Sequence, residues 1–198
     1  MSSFQRRDAH PALILGPSDD KKVSYEDLRR EVDRKMATSK GPGSTAPVEA
    51  LVATATFDFV AEALALLESN RPLAILNPRW TETERVAREK ILVATPQAET
   101  ALILFTSGSS GTPKGVELSK RAIESNTDAV IKSLDFEKAS HQILHLPLHY
   151  AYSLLGQLLP ALKLGLTTRL LDGFNETIPL VRASRLDGMW SGVPSHYE

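Results

Sequence analysis

The chain has 198 residues, 42% of them hydrophobic and 24% charged, with 23 Lys and Arg set against 24 Asp and Glu for a formal net charge of −1. That balance excludes a disordered chain and a nucleic-acid binder working through a global positive field, although a local basic patch stays possible. With no cysteine in the sequence, disulfides, thiolate zinc sites and a cysteine nucleophile are excluded too.

No apolar segment follows Arg6 and Arg7, and no apolar run approaches the roughly 20 residues that span a bilayer, so a soluble, cytoplasmic protein is expected. Ala12 to Leu15 reads as a strand closed by the turn Gly16-Pro17-Ser18-Asp19-Asp20. Ser24, with Asp27 three residues on and Leu28, Val32 and Met36 at fourfold spacing, predicts a capped amphipathic helix over 25–37. Thr38 to Pro47 is a surface loop. Then come strand 48–53, helix 58–68, strand 73–76, helix 81–90, strand 101–105, a glycine-rich loop and a short strand 116–118. Helix 120–133 follows with Ser119 at its cap, then strand 142–146, helix 153–163, strand 167–171, helix 176–184 and strand 188–191. Pro160 is expected to kink or end its helix. Strands alternating with helices predict an α/β fold of mostly parallel sheets covered by helices.

The segment Thr106 to Gly115 holds three glycines, five hydroxyl side chains and one lysine directly after an apolar strand. Glycines let backbone amides converge on an anion, hydroxyls add donors, and a lysine supplies a mobile charge, which together describe a polyphosphate cradle. The bland alternative is a flexible Gly/Ser hairpin loop. The P-loop pattern G-x-x-x-x-G-K-[ST] fails here, because Pro113 precedes Lys114 and Gly115 stands where Ser or Thr is needed.

Phe105-Thr106-Ser107-Gly108-Ser109-Ser110-Gly111-Thr112-Pro113-Lys114-Gly115-Val116 resembles the signature of the AMP-forming adenylating enzymes: acyl- and aryl-CoA synthetases, adenylation domains of nonribosomal peptide synthetases, and firefly luciferase. Ser110 replaces the usual threonine. Val23 to Leu28, Leu76-Asn77-Pro78, Leu146 to Leu154 and Gly192-Val193-Pro194 resemble further family segments in the same order. Lys120 stands where many members have histidine, and Ser153 where glycine is common.

The resemblance implies a partial amino-terminal domain of the adenylate-forming fold, with a front part over 1–97, a part over 98–198 carrying the phosphate loop and the start of the acyl pocket, and no carboxyl-terminal domain. It implies that ATP phosphates and leaving pyrophosphate are held by Thr106, Ser107, Gly108, Ser109, Ser110, Gly111, Thr112 and Lys114, with Mg²⁺. Catalytic work falls to Lys114 and His149, and His149 and Tyr150 border the acyl pocket; a packed core histidine and aromatic is the competing reading of that pair. Tyr152 and Trp190 read as core. The implied reaction turns a carboxylic acid and ATP into acyl-AMP and pyrophosphate, then a thioester, with CoA as the expected acceptor. A carrier protein, or a catalytically silent binding fragment, is the alternative. The family's later Tyr-Gly-x-Thr-Glu motif, ribose-binding Asp and carboxyl-terminal lysine have no counterpart here, so the chain alone is expected not to make adenylate and to self-associate through an open sheet edge.

Overall fold

Two sheets with helices packed between them make up the computed structural model, which describes residues 9–38, 48–92, 96–106, 114–182 and 188–192. One sheet holds β1 (Pro11–Leu15), β2 (Lys22–Ser24), β7 (His141–Leu144), β8 (Thr167–Leu170) and β9 (Met189–Trp190) in the order β2-β1-β8-β7-β9. The other holds β3 (Glu49–Val52), β4 (Leu73–Leu76), β5 (Thr100–Thr106) and β6 (Lys114–Ser119) in that order. All pairings are parallel except β1 with β2 and β5 with β6, so the mostly parallel α/β expectation holds.

The helices start where local chemistry says they should. Ser24 Oγ accepts from the Asp27 amide at 3.0 Å and donates to its carboxylate at 2.7 Å, opening α1 (Tyr25–Thr38). Thr56 and Ser119 accept from the Phe59 and Ala122 amides to open α2 (Phe57–Glu68) and α4 (Lys120–Ser133). α3 (Glu82–Leu92) precedes β5, and α7 (Thr177–Arg182) follows a 3₁₀ turn at Phe174–Glu176. α2 is apolar nearly all round, the mark of a helix enclosed on every side. Leu64, Leu66 and Leu67 join Leu13, Leu144 and Leu170 of the first sheet and Leu73, Ile75 and Leu102 of the second in one core. Each leucine so enclosed contributes about 1.5–3 kcal/mol. Lys35, 8% exposed, reaches from α1 to Asp58 and Glu62 of α2.

Pro160 neither ends nor sharply breaks its helix. α5 (Ala151–Ser153), a π turn (Leu154–Leu158) and α6 (Leu159–Leu164) run on continuously. Proline has no N–H to return, so the turn before it widens and the Leu159 amide bonds Leu154 O. Side-chain amides serve the carbonyls this leaves: Asn126 Nδ2 donates to Leu155 O at 3.4 Å and Gln142 Nε2 to Gln157 O at 3.2 Å. Gly156 is needed there because an added Cβ would lie 2.9 Å from the Tyr152 ring. Tyr152 itself is 47% exposed rather than core, its hydroxyl donating to Ser191 Oγ at 3.1 Å.

Candidate active site

β5 and β6 form a hairpin whose register pairs Thr106 with Lys114, so the strands deliver both side chains, each exposed, to the two sides of one loop mouth. Ser107, Gly108, Ser109, Ser110, Gly111 and Thr112 lie outside the described residues. At the far end of the hairpin, Glu117 accepts from the Thr100 hydroxyl and the Gln97 amide, bonds that hold its carboxyl below the usual range. This clamp fixes the strand that carries Lys114.

A second feature sits where both sheets end. A cavity of about 80 Å³ is bordered by residues 53–55, 78–79, 144–149 and 170–173, the segments following β3, β4, β7 and β8. The carboxyl ends of parallel strands are where α/β folds place ligands, since the loops diverge there. The volume suits a carboxyl-sized group or a few waters. His149 and Tyr150 are adjacent here, ring centroids 4.4 Å apart, with Tyr150 half exposed. Both His149 ring nitrogens are buried without a hydrogen-bond partner. A larger cavity of about 380 Å³ lies along β1, β7 and β8, lined by His10, Lys22, His141 and Arg169, but the Arg169 guanidinium is spent on Gly16 O, Ser18 O and Asp19.

Burial, and then the charge of Arg79, push the His149 imidazole below its ordinary pKa. The unfolded chain therefore takes up the proton first, so stability is full above the ordinary histidine value and declines as pH falls through it. Between about pH 7 and about pH 5 the wild-type melting temperature is expected to drop, and His149→Gln to flatten that drop. Thermal melts of both proteins across that range check it; identical slopes would remove His149 as the cause.

The chain matches the AMP-binding enzyme family over residues 73–198. This chain belongs to that family. Solved structures with the same fold include ATP-bound MatB from Rhodopseudomonas palustris, 18% identical with a TM-score of 0.77 over 96% of this chain and 48% of that one. O-succinylbenzoate coenzyme A synthetase (MenE) from Bacillus subtilis, in complex with ATP and magnesium, is 17% identical with a TM-score of 0.76 over 96% of this chain and 61% of that one. A malonyl-CoA ligase ternary product complex with methylmalonyl-CoA and AMP is 20% identical, with a TM-score of 0.76 over 99% and 48%. The chain thus spans about half the length of the first structures it resembles.

In this member of the AMP-binding family the turn after β4 ties the two features together. Asn77 Oδ1 accepts from the Arg79 amide at 2.9 Å, and Arg79 borders the cavity beside His149. Its neighbour Trp80 packs edge-on against Phe105, centroids 5.3 Å apart, one residue before Thr106. Arg88 of α3 covers the other side of that indole, 4.1 Å from its centroid. The structure thus pairs Thr106 with Lys114 and His149 with Tyr150, and links the pairs through residues 77–80. Sequence reasoning missed Arg79, although it directly follows the quoted Asn77-Pro78. It also missed His145, which borders the cavity and accepts the Trp190 indole N–H on Nδ1 at 2.9 Å. That bond fixes the neutral imidazole with its proton on Nε2. Trp190 is half-buried and holds a cavity residue in place, beyond the packing role its sequence implied.

Proposed function

We propose that this chain provides the phosphate-holding hairpin and one wall of the acid pocket for ATP-dependent activation of a carboxylic acid, followed by thioester formation with CoA. In the first step a carboxylate oxygen bonds the α-phosphorus of ATP, and the bond to the bridging oxygen breaks as pyrophosphate leaves with the electron pair. In the second a thiolate attacks the acyl carbon and AMP departs. The observation that carries this reading is the register that brings Thr106 and Lys114 together at the mouth of the glycine- and hydroxyl-rich loop. Donors fixed by a strand pair need no reorganisation when charge develops on the leaving group. Thr106 contributes a hydroxyl and Lys114 a mobile cation, and both are exposed, as a phosphate contact requires.

Mg²⁺ fits this arrangement as an ion carried in by the phosphates, since it keeps water and phosphate oxygens as ligands. No cluster of three acidic or histidine side chains suited to a resident metal occurs among the described residues. When bound, the ion neutralises phosphate charge. His149, kept neutral by burial and by Arg79, is suited to orient an acid oxygen by hydrogen bonding rather than by charge. Cytoplasmic placement and self-association belong to the same proposal; no helix among the described residues is long and apolar enough to cross a membrane.

The direct test is MgATP binding measured by titration calorimetry on the wild type and on Lys114→Ala. The substitution is expected to weaken binding about tenfold or more, because a charge-assisted phosphate contact is lost. Equal affinity in both proteins, with normal folding, would remove Lys114 from the site.

A further inference from the structure

The hairpin that presents Thr106 and Lys114 is held unequally at its two ends. At the far end Glu117 clamps β6 to Thr100 and Gln97. At the mouth β6 buries no side chain: Lys114 and Val116 are exposed, and Gly115 between them has none. A strand end with so little burial frays, and fraying would scatter the two phosphate donors. The register sets Gly115 opposite Phe105, so the last ring before the Thr106–Lys114 rung belongs to β5 alone. Phe105 is only partly buried, at the margin of a small cluster of Val48, Ala74, Leu92 and Ile103. What meets it there is Trp80, edge-on with ring centroids 5.3 Å apart.

Trp80 is fixed from three directions. Before it, Asn77 closes the turn, Oδ1 accepting from the Arg79 amide at 2.9 Å and the carbonyl from the Trp80 amide at 3.2 Å. After it, Thr81 and Glu84 cap α3 reciprocally: the Thr81 amide donates to Glu84 Oε2 at 2.8 Å and the Glu84 amide to Thr81 Oγ1 at 3.3 Å. Over its ring, the Arg88 guanidinium lies 4.1 Å from the indole centroid while Nη1 donates to Glu84 O at 2.9 Å. Arg88 keeps Nε buried without a hydrogen-bond partner in that pose, a cost that space-filling alone does not explain. Trp80 is itself half-buried and no member of the cluster beneath Phe105. So firmly held a ring outside the core acts as a brace.

We propose that Trp80 is a positioning residue for the phosphate site: it pins Phe105 so that Thr106 and Lys114, the next rung, stay paired at the loop mouth. The inference rests on the proposed phosphate role of Thr106 and Lys114 and adds the residue through which α3 acts on them. Trp80 works through the strand and needs no contact with the nucleotide.

The experiment is a double-substitution cycle on the full 198-residue chain: wild type, Lys114→Ala, Trp80→Leu and the pair, each titrated with MgATP by calorimetry. Trp80→Leu keeps apolar volume and loses the ring. It is expected to weaken MgATP binding about threefold or more in the wild-type background and to add little once Lys114 is alanine, because both act through one contact. Trp80→Phe, which keeps an aromatic edge, is expected to restore most of the affinity. Amide exchange read by mass spectrometry should quicken in Trp80→Leu over residues 104–106 and 114–116 and stay unchanged at the Glu117 clamp. If Trp80→Leu folds poorly, the wild type still decides: the Trp80 indole proton signal is expected to move as MgATP saturates. Losses that multiply independently, unchanged exchange at the mouth, or an unmoved Trp80 signal at saturating nucleotide overturns the proposal. Equal MgATP affinity in wild type and Lys114→Ala sinks the phosphate reading instead, and the exchange at the mouth then decides alone whether Trp80 holds the rung.

Discussion

Phe136→Ala lowers the unfolding free energy by about 3–5 kcal/mol, the expected loss for a large aromatic removed from a closed site. Phe136 is 0% exposed in the 3₁₀ turn Phe136–Lys138 between α4 and β7, packed with Ile131, Ala161, Leu164 and Met189. One side chain therefore joins α4, α6 and β9. The cavity left behind cannot collapse without moving one of three elements. Against a typical total of about 5–15 kcal/mol, the loss is a large share. Urea unfolding reads it as a lower midpoint with an unchanged slope. A change below about 1 kcal/mol would mean that the site closes up on its own.

The second large effect is expected at Gly188, where Ala is resisted in two ways at once. Gly188 has φ +127°, a conformation that side chains rarely adopt, and an added Cβ would lie 2.7 Å from His141 Nε2 and 2.8 Å from His141 O. The carbonyl belongs to β7, so the clash cannot be relieved by turning a side chain. β9 must shift instead; among the described residues its register with β7 sets Met189 opposite Gln142 and Trp190 opposite Ile143. Gly188→Ala is expected to cost about 2–4 kcal/mol and to part the Trp190 indole from His145. The chain has two tryptophans, so the proton spectrum gives two indole signals. That of Trp190 should move and that of Trp80 stay. An unshifted Trp190 signal would show that the backbone accommodates the methyl group.

How far the sequence shows this fold depends on the range of each interaction. Two helix starts were legible because Ser24 and Ser119 act within three residues of themselves, whereas the Thr56 cap of α2 was not read from the sequence. Strands such as Leu73–Leu76 stood out because a strand covered on both faces reads as an unbroken apolar run. The short strand expected at 116–118 proved longer, Lys114–Ser119, because pairing with β5 carries it past its apolar centre. The division into two sheets was not legible, since strand order depends on partners far apart, as with β1 beside β8. The π turn followed from Pro160 together with amides at Asn126 and Gln142, which no local pattern joins. At the site, Thr106, Lys114, His149 and Tyr150 came from motif resemblance, while Arg79 and His145 carry no signature. They matter only because strand ends from two sheets meet there.

The hairpin register has a consequence for how the protein behaves in concentrated solution. β6 closes the edge of its sheet among the described residues, and it shows Val116 at 42% exposure between Lys114 and Glu117. An open edge with an apolar residue invites strands of other copies to add on, and charged side chains are what keep them off. Under the proposed function Lys114 would hold phosphate at the loop, and its charge also sits on the strand edge where other copies could add.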